Sequence, residues 1–274
     1  MLRPDPFFIA PWRGKIAAEY DRPEIRGLLG VLDARLAGAD AAVIYKGRNT
    51  VTVIPLMSAD GRSIDVAVKE FRLRGLTRLK TLLVASKARR AWIGARALID
   101  AGLPTASPIA YGEIHRRGFT DRAVFIAERL TEGTEIRGLF RERPADDLRP
   151  VLSALARAIR RGHDRGVVHR DLSDGNVLVA GGAGEGEELR FYFLDTNRVR
   201  RKRRVGRFAR AKNLIRLGVP PELRRGFLDA YAGEKGVRPL FAFFYFRTKA
   251  LFEGWLRFKK KTRLRRWARR LKIQ

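Results

Sequence analysis

The chain has 274 residues, 45% of them hydrophobic, which is enough for one bilobal unit or two small domains, each with its own core. The absence of cysteine excludes a disulfide scaffold and thiolate metal sites, and is compatible with a reducing cytoplasm. Lys and Arg number 58 against 29 Asp and Glu, a formal charge of +29 that calls for an anionic partner.

Met1 to Phe8 lacks the uninterrupted apolar core of a secretion signal, so export is not expected. Residues 1–39 read as an N-terminal extension with a helix over Pro23 to Leu36. Two apolar runs follow, Ala41 to Tyr45 and Val51 to Leu56, around the turn Tyr45-Lys46-Gly47-Arg48-Asn49-Thr50. Gly47 would let that turn approach phosphate oxygens while Lys46, Arg48 and backbone N–H groups, with Asn49 beside them, neutralise charge. An ordinary hairpin turn accounts for the same residues.

Ile64 to Phe71 alternates apolar and polar residues like a strand, and its Val66-Ala67-Val68-Lys69 resembles the V-A-I-K segment whose Lys grips nucleotide phosphates in kinases. The alternative is a surface lysine on an edge strand. Kinases pair that lysine with a Glu on the next helix, yet Phe71 to Ile99 contains no Asp or Glu. Glu70 adjoins Lys69 and points to the opposite face of a period-two strand. Ser86 to Ala101 reads as a basic helix stopped by Gly102 and Pro104. Strands over Ile109 to Ile114 and Ala123 to Ala127 run into Glu128-Arg129-Leu130, where a hinge would offer backbone groups to adenine; a strand-end charge explains Glu128 equally well.

Leu148, Val151, Leu152, Leu155 and Ile159 mark an amphipathic helix over Asp147 to His163, which delivers the chain to Val168-His169-Arg170-Asp171-Leu172-Ser173-Asp174-Gly175-Asn176. That stretch is the kinase catalytic-loop pattern H-R-D-L-x-x-x-N. Phosphoryl transfer needs a carboxylate to accept the proton of the attacking hydroxyl and an amide oxygen to hold magnesium against the phosphates, and Asp171 and Asn176 fit those roles. His163 and His169 read as structural residues and Asp174 as a secondary candidate. Gly181 to Glu188 reads as a hairpin tip. Phe191-Tyr192-Phe193-Leu194-Asp195 is an apolar strand ending in a carboxylate where kinases carry the Asp of D-F-G; here the segment reads Asp195-Thr196-Asn197, which keeps the metal ligand and loses the switching ring. The three histidines have no zinc-type spacing, and magnesium would come with ATP.

Nine Arg or Lys and no acid occupy residues 197–212. Residues 247–274 hold twelve more against Glu253. Leu251, Phe252, Trp255, Leu256, Leu264, Trp267, Ala268 and Leu271 recur there at helical spacing, an apolar stripe on a cationic helix that suits an anionic membrane surface. Nucleic acid is the competing partner. Leu240 to Phe246, the longest apolar run near the end, is far too short to span a bilayer.

Together with Gly102-Leu103-Pro104-Thr105-Ala106-Ser107-Pro108 and Leu194-Asp195-Thr196-Asn197-Arg198-Val199, these motifs resemble the bacterial lipopolysaccharide kinase family, which includes Kdo kinases and inner-core heptose kinases, over roughly residues 41–215. The resemblance implies an α+β, bilobal, protein-kinase-like fold, with a small, mostly β N-lobe over 40–130 and a larger, mostly α C-lobe over 131–274. It implies ATP with magnesium, and transfer of the γ phosphate to a sugar hydroxyl of an anionic, lipid-anchored glycolipid on the cytoplasmic face of the inner membrane. Asp171 would be the base, Asn176 and Asp195 the metal ligands, Lys69 the phosphate clamp. The alternatives are an atypical kinase of a protein or RNA-associated target, and a kinase-like module without turnover that tethers to membrane or nucleic acid.

Overall fold

Alternating side chains build strands in the first half of the chain, and the 3.6-residue period dominates after it. The computed structural model describes residues 4–57, 61, 63–73, 75–181 and 188–261. In chain order the elements are β1 (Asp5–Ile9), β2 (Trp12–Ile16), α1 (Pro23–Gly30), α2 (Leu32–Ala37), β3 (Ala42–Lys46), β4 (Asn49–Met57), β5 (Ser63–Phe71), α3 (Leu76–Leu79), α4 (Lys87–Asp100), β6 (Pro108–Arg116) and β7 (Phe119–Glu128). There follow β8 (Thr134–Glu135), α5 (Ile136–Glu142), α6 (Ala145–Asp164), β9 (Val167–His169), β10 (Val177–Ala180), β11 (Arg190–Phe193), β12 (Val199–Arg201), α7 (Arg207–Leu214), α8 (Arg224–Ala232) and α9 (Pro239–Lys261). They form two compact units, Met1–Thr134 with Leu178–Arg201, and Glu135–Val177 with Lys202–Gln274.

The first unit is built on a seven-stranded sheet in the order β1-β2-β6-β7-β5-β4-β3, with every neighbouring pair antiparallel. Its two faces follow from the period of two. Val66 and Val68 of β5 and Val124 and Ile126 of β7 join Leu28, Leu29 and Leu32 of α1 and α2 in one core cluster. Phe71, Ala123, Phe125 and Ala127 join Ala88, Ala91, Trp92 and Ala95 of α4 in the other. Lys69, two residues before Phe71, shares the α4 face, whereas Glu70 accepts from Arg122 at 3.4 Å. The α4 helix starts where Ser86 Oγ accepts the Arg89 N–H at 3.1 Å.

Three sequence expectations are corrected here. Residues 1–39 are not an appendage: β1 and β2 extend the sheet through β6, and Trp12 and Ile16 are only 1% and 0% exposed. The helix expected over Pro23 to Leu36 is two helices, because Val31 leaves the helical region at φ −119°, ψ 24°. Residues 178–201, expected in the helical lobe, cluster with the strand-rich unit. Phe193 anchors them there: its N–H donates to the Pro104 carbonyl at 2.9 Å and its carbonyl accepts the Thr105 hydroxyl at 2.6 Å.

The second unit is mostly helical. Leu148, Leu152, Leu155 and Ile159 form the buried stripe of α6 expected from the sequence. The α6 helix packs against α8, which buries Phe227, Leu228 and Tyr231, and α7 packs against α9. Among the described residues no helix is long and apolar enough to cross a membrane. Most of the expected hairpin tip, residues 182–187, and the stripe at Leu264, Trp267, Ala268 and Leu271 lie outside the described residues.

Candidate active site

In the first unit, Lys69 Nζ lies 2.8 Å from Asp195 Oδ1, joining residues 126 positions apart. The Lys69 ammonium also lies 5.5 Å from the centre of the Phe71 ring. This answers what meets Lys69 in place of a helix Glu: the counter-charge comes from the segment after β11. Asp195 takes φ 52°, ψ 49°, the left-handed region that a non-glycine residue occupies only when its surroundings hold it there. The neighbours supply that hold. Asn197 Nδ2 donates to Asp195 Oδ1 at 2.9 Å, the Arg198 N–H donates to the Asp195 carbonyl at 3.1 Å, and the buried Thr196 hydroxyl donates to the Ala91 carbonyl of α4 at 2.9 Å. A Cβ added to Gly94 would fall 2.0 Å from the Thr196 carbonyl oxygen, so α4 and this segment touch backbone to backbone. The two residues that replace the expected Phe and Gly are therefore buried fasteners.

In the second unit, Asn176 Nδ2 donates to the Asp171 carbonyl at 2.8 Å, closing the loop on itself. The loop begins at buried His169, whose Nδ1 accepts the Asp171 N–H at 3.3 Å and whose carbonyl accepts Asn213 Nδ2 at 2.6 Å. Asn213 Oδ1 lies 2.8 Å from His163 Nε2, and His163 Nδ1 lies 2.7 Å from the Tyr231 hydroxyl. Burial holds His163 down to about 4, so the ring is neutral, donating through Nε2 and accepting through Nδ1. His163 is thus a structural strut, as its sequence position suggests. Arg216 Nη1 lies 2.5 Å from Asp171 Oδ1, and Arg137 Nε lies 3.3 Å from Asp174 Oδ2.

The remaining sequence candidates sit in the first unit. Gly47 and Arg48 form the two-residue turn between β3 and β4, with the Gly47 N–H donating to the Asn49 carbonyl at 3.0 Å. Asn49 Oδ1 is buried and has no hydrogen-bond partner among the described residues. Glu128 ends β7, its N–H donating to the Ser107 carbonyl at 2.9 Å; its carboxylate bonds Tyr20, whose hydroxyl is pushed up by burial and then by Glu128. Leu130, half-buried, follows Arg129, whose N–H donates to the Asp65 carbonyl at 2.9 Å.

The basic helix expected from Ser86 brings Lys87, Arg89 and Arg90, and no acid, into the first turn of α4. Burial, then Arg48, Arg90 and Arg198, hold the Lys87 ammonium below its ordinary range, with Asp195 opposing. Burial, then Arg200 and Arg198, do the same to Arg90. Sequence reasoning missed Asn213, Arg216 and Lys249. Lys249 is 3% exposed and donates to the carbonyls of Ile215 at 2.9 Å and Leu217 at 2.7 Å. None of these three lies in a motif.

No group of three or more His, Cys, Asp or Glu side chains suited to a metal occurs among the described residues. Hard oxygen donors of the kind magnesium takes are the carboxylate of Asp195 in the first unit and the amide of Asn176 in the second. With its Nδ2 donating to the Asp171 carbonyl, the Asn176 amide keeps its oxygen as an acceptor.

The chain resembles known proteins in this light. A solved structure, WaaP in complex with acyl carrier protein, aligns with 84% of this chain and 91% of its own, at a TM-score of 0.56 and 22% identity, which establishes a kinase-like α+β fold. The serine/threonine-protein kinase PknF of Mycobacterium tuberculosis is 31% identical over 72 residues, which are 24% of this chain and 15% of that one. PknF of Mycobacterium bovis matches to the same extent, and the chain thus spans about 15% of the length of these curated relatives. The family model described as the lipopolysaccharide kinase (Kdo/WaaP) family matches residues 73–224, a segment that runs from the end of β5 through Asp171, Asn176 and Asp195 to the start of α8. The chain belongs to the lipopolysaccharide kinase (Kdo/WaaP) family of kinases.

Proposed function

We propose that this chain transfers the γ phosphate of ATP to a sugar hydroxyl of a lipopolysaccharide core, Kdo or heptose, or of a similar anionic glycolipid. The observation that carries the reading is the 2.8 Å pair between Lys69 and Asp195. In this reading the pair is a phosphate-binding cation beside a metal-binding carboxylate, the two charges that a nucleoside triphosphate and its ion require together. Lys69 grips phosphate oxygens and Asp195 and Asn176 hold magnesium, which when bound neutralises charge on the phosphates. Asp171 accepts the proton of the attacking hydroxyl. The Gly47-Arg48-Asn49 turn covers phosphate, and the backbone at Glu128 and Leu130 meets adenine.

An anionic acceptor suits the cluster of Lys87, Arg90 and Arg198. Like charges crowded this closely repel one another unless an anion sits among them, and Arg adds a planar fork that matches phosphate or carboxylate. The α9 helix exposes Leu251, Trp255 and Phe258 alongside Arg247, Arg257 and Lys259, which fits the headgroup region of an anionic bilayer on the cytoplasmic face of the inner membrane. The similar WaaP was solved with acyl carrier protein, and a protein partner on this face is the second reading. Co-sedimentation with anionic but not neutral vesicles supports the bilayer.

The reading is tested with labelled ATP, magnesium and intact or deacylated core glycolipid. Wild type should label the glycolipid, and Asp171→Ala should lower that rate by roughly a hundred-fold or more, the usual worth of a general base. Equal labelling by both proteins would reject it, and labelling of added protein or RNA alone would select the atypical-kinase alternative.

A further inference from the structure

Three residues of one short segment touch the catalytic loop in succession. Asn213 donates to the His169 carbonyl at 2.6 Å, and Arg216 pairs with the Asp171 carboxylate at 2.5 Å. Gly218 lies so close to Asp174 that an added Cβ would be 3.0 Å from its Oδ2. The middle contact engages the carboxylate proposed as the base, and its cation is held from behind. Lys249 of α9 donates to the carbonyls on either side of Arg216, those of Ile215 and Leu217. Three residues further along α9, the Phe252 ring centre lies 5.8 Å from the Arg216 guanidinium. Glu253 then receives Lys249 at 3.3 Å and Arg224 at 2.5 Å.

Pairing with the carbonyls that follow α7 explains why a cation lies there, but not why it is an almost fully buried one. Burial pushes the Lys249 ammonium down, a cost that a half-exposed ion pair such as Arg216–Asp171 does not repay through stability alone. The arrangement makes sense if the direction of the Asp171 carboxylate matters. With Oδ1 occupied by Arg216, the carboxylate cannot turn freely, and Oδ2 is the oxygen left to meet the acceptor hydroxyl.

We propose that Arg216 is a positioning residue for Asp171, and that α9, through Lys249 and Phe252, sets where Arg216 stands. The inference rests on the kinase reading above. Phosphate transfer from ATP to glycolipid and to water is measured for wild type, Arg216→Met, Arg216→Lys, Phe252→Ala, Asp171→Ala and the Asp171→Ala/Arg216→Met double variant, each checked for its unfolding temperature. Arg216→Met should lower kcat by roughly ten- to a hundred-fold, the scale of a misplaced reacting group, with the KM for ATP within about two-fold. Arg216→Lys should regain part of that loss, and Phe252→Ala should show a smaller fall.

The double variant should be no slower than Asp171→Ala, because Arg216 acts only through Asp171. Additive losses, or Arg216→Met within about two-fold of wild-type kcat, would overturn the proposal. Phosphate transfer to water alone, with the cycle non-additive, would sink the glycolipid assignment and leave Arg216 standing; no ATP turnover of any kind would sink both.

Discussion

Asp195 and Asp171, the two carboxylates of the proposed chemistry, are each met by a cation but are held in different ways. Asp195 is fixed by its own surroundings and by a lysine on an inner strand, where Lys69 is placed by Val51 on one side and Phe125 on the other. Sheet register alone sets that cation, so anything that moves it must disturb the core of the first unit. Asp171 depends on an arginine in a loop, and the loop on a buried lysine of α9. That support is tertiary and can be loosened while the loop's own hydrogen bonds stay intact. The first carboxylate is built in, and the second is braced.

The sharpest break of the built-in half is Lys69→Met. It should lower kcat by about 10²- to 10³-fold, the usual effect of removing one preorganised partner of developing charge, read from steady-state ATP turnover. A loss under about tenfold would mean that Arg48 or Lys87 can replace it, and the contrast with Arg216 would fade.

The braced half has its own sensitivity to pH. His163 titrates near 4 when folded against an ordinary value of 6.5, so between those values the unfolded chain binds a proton that the folded chain does not. Stability contributed by the neutral ring is complete above about pH 6.5 and is lost as pH falls toward 4, about 3 kcal/mol over that window. Urea unfolding at pH 7 and pH 4.5 should show that drop for wild type and a shallower one for His163→Gln. Parallel slopes would place the acid sensitivity elsewhere.

Gly94→Ala sharpens the comparison from the side of Asp195. Its methyl would meet the Thr196 carbonyl 2.0 Å away, so overpacking should cost about 1–3 kcal/mol of stability and displace the segment that aims Asp195. Chemical denaturation and ATP turnover should fall together; full stability would show that α4 yields freely. The smallest effect belongs to Arg201→Gln. Its pair with Asp100, at 3.1 Å, joins side chains 62% and 37% exposed, and its loss should change stability by under about 0.5 kcal/mol.

What the sequence revealed tracks how local each signal is. The alternation around Lys69, the stripe of α6 and the spacing from Asp171 to Asn176 are written within a few residues, and all three elements stand where they were expected. What it hid is nonlocal. The pairing of β2 with β6 joins Arg13 to Glu113, and the partner of Lys69, sought on the following helix, comes from beyond the catalytic loop. Arg216 and Lys249 look like two more basic residues in a chain that carries 58. Only tertiary structure distinguishes a solvated cation from one wedged against two carbonyls.

The backbone contact between Gly94 and Thr196 has a wider meaning. Where a kinase can swing its helix outward, a small molecule can follow it into the space vacated and lock the enzyme off. Here the helix and the segment that carries Asp195 are riveted together by the Thr196–Ala91 hydrogen bond and by a glycine that leaves no gap. Prying α4 away from this segment would first have to break that buried hydrogen bond and part a backbone contact, so an outward swing should be costly in this chain.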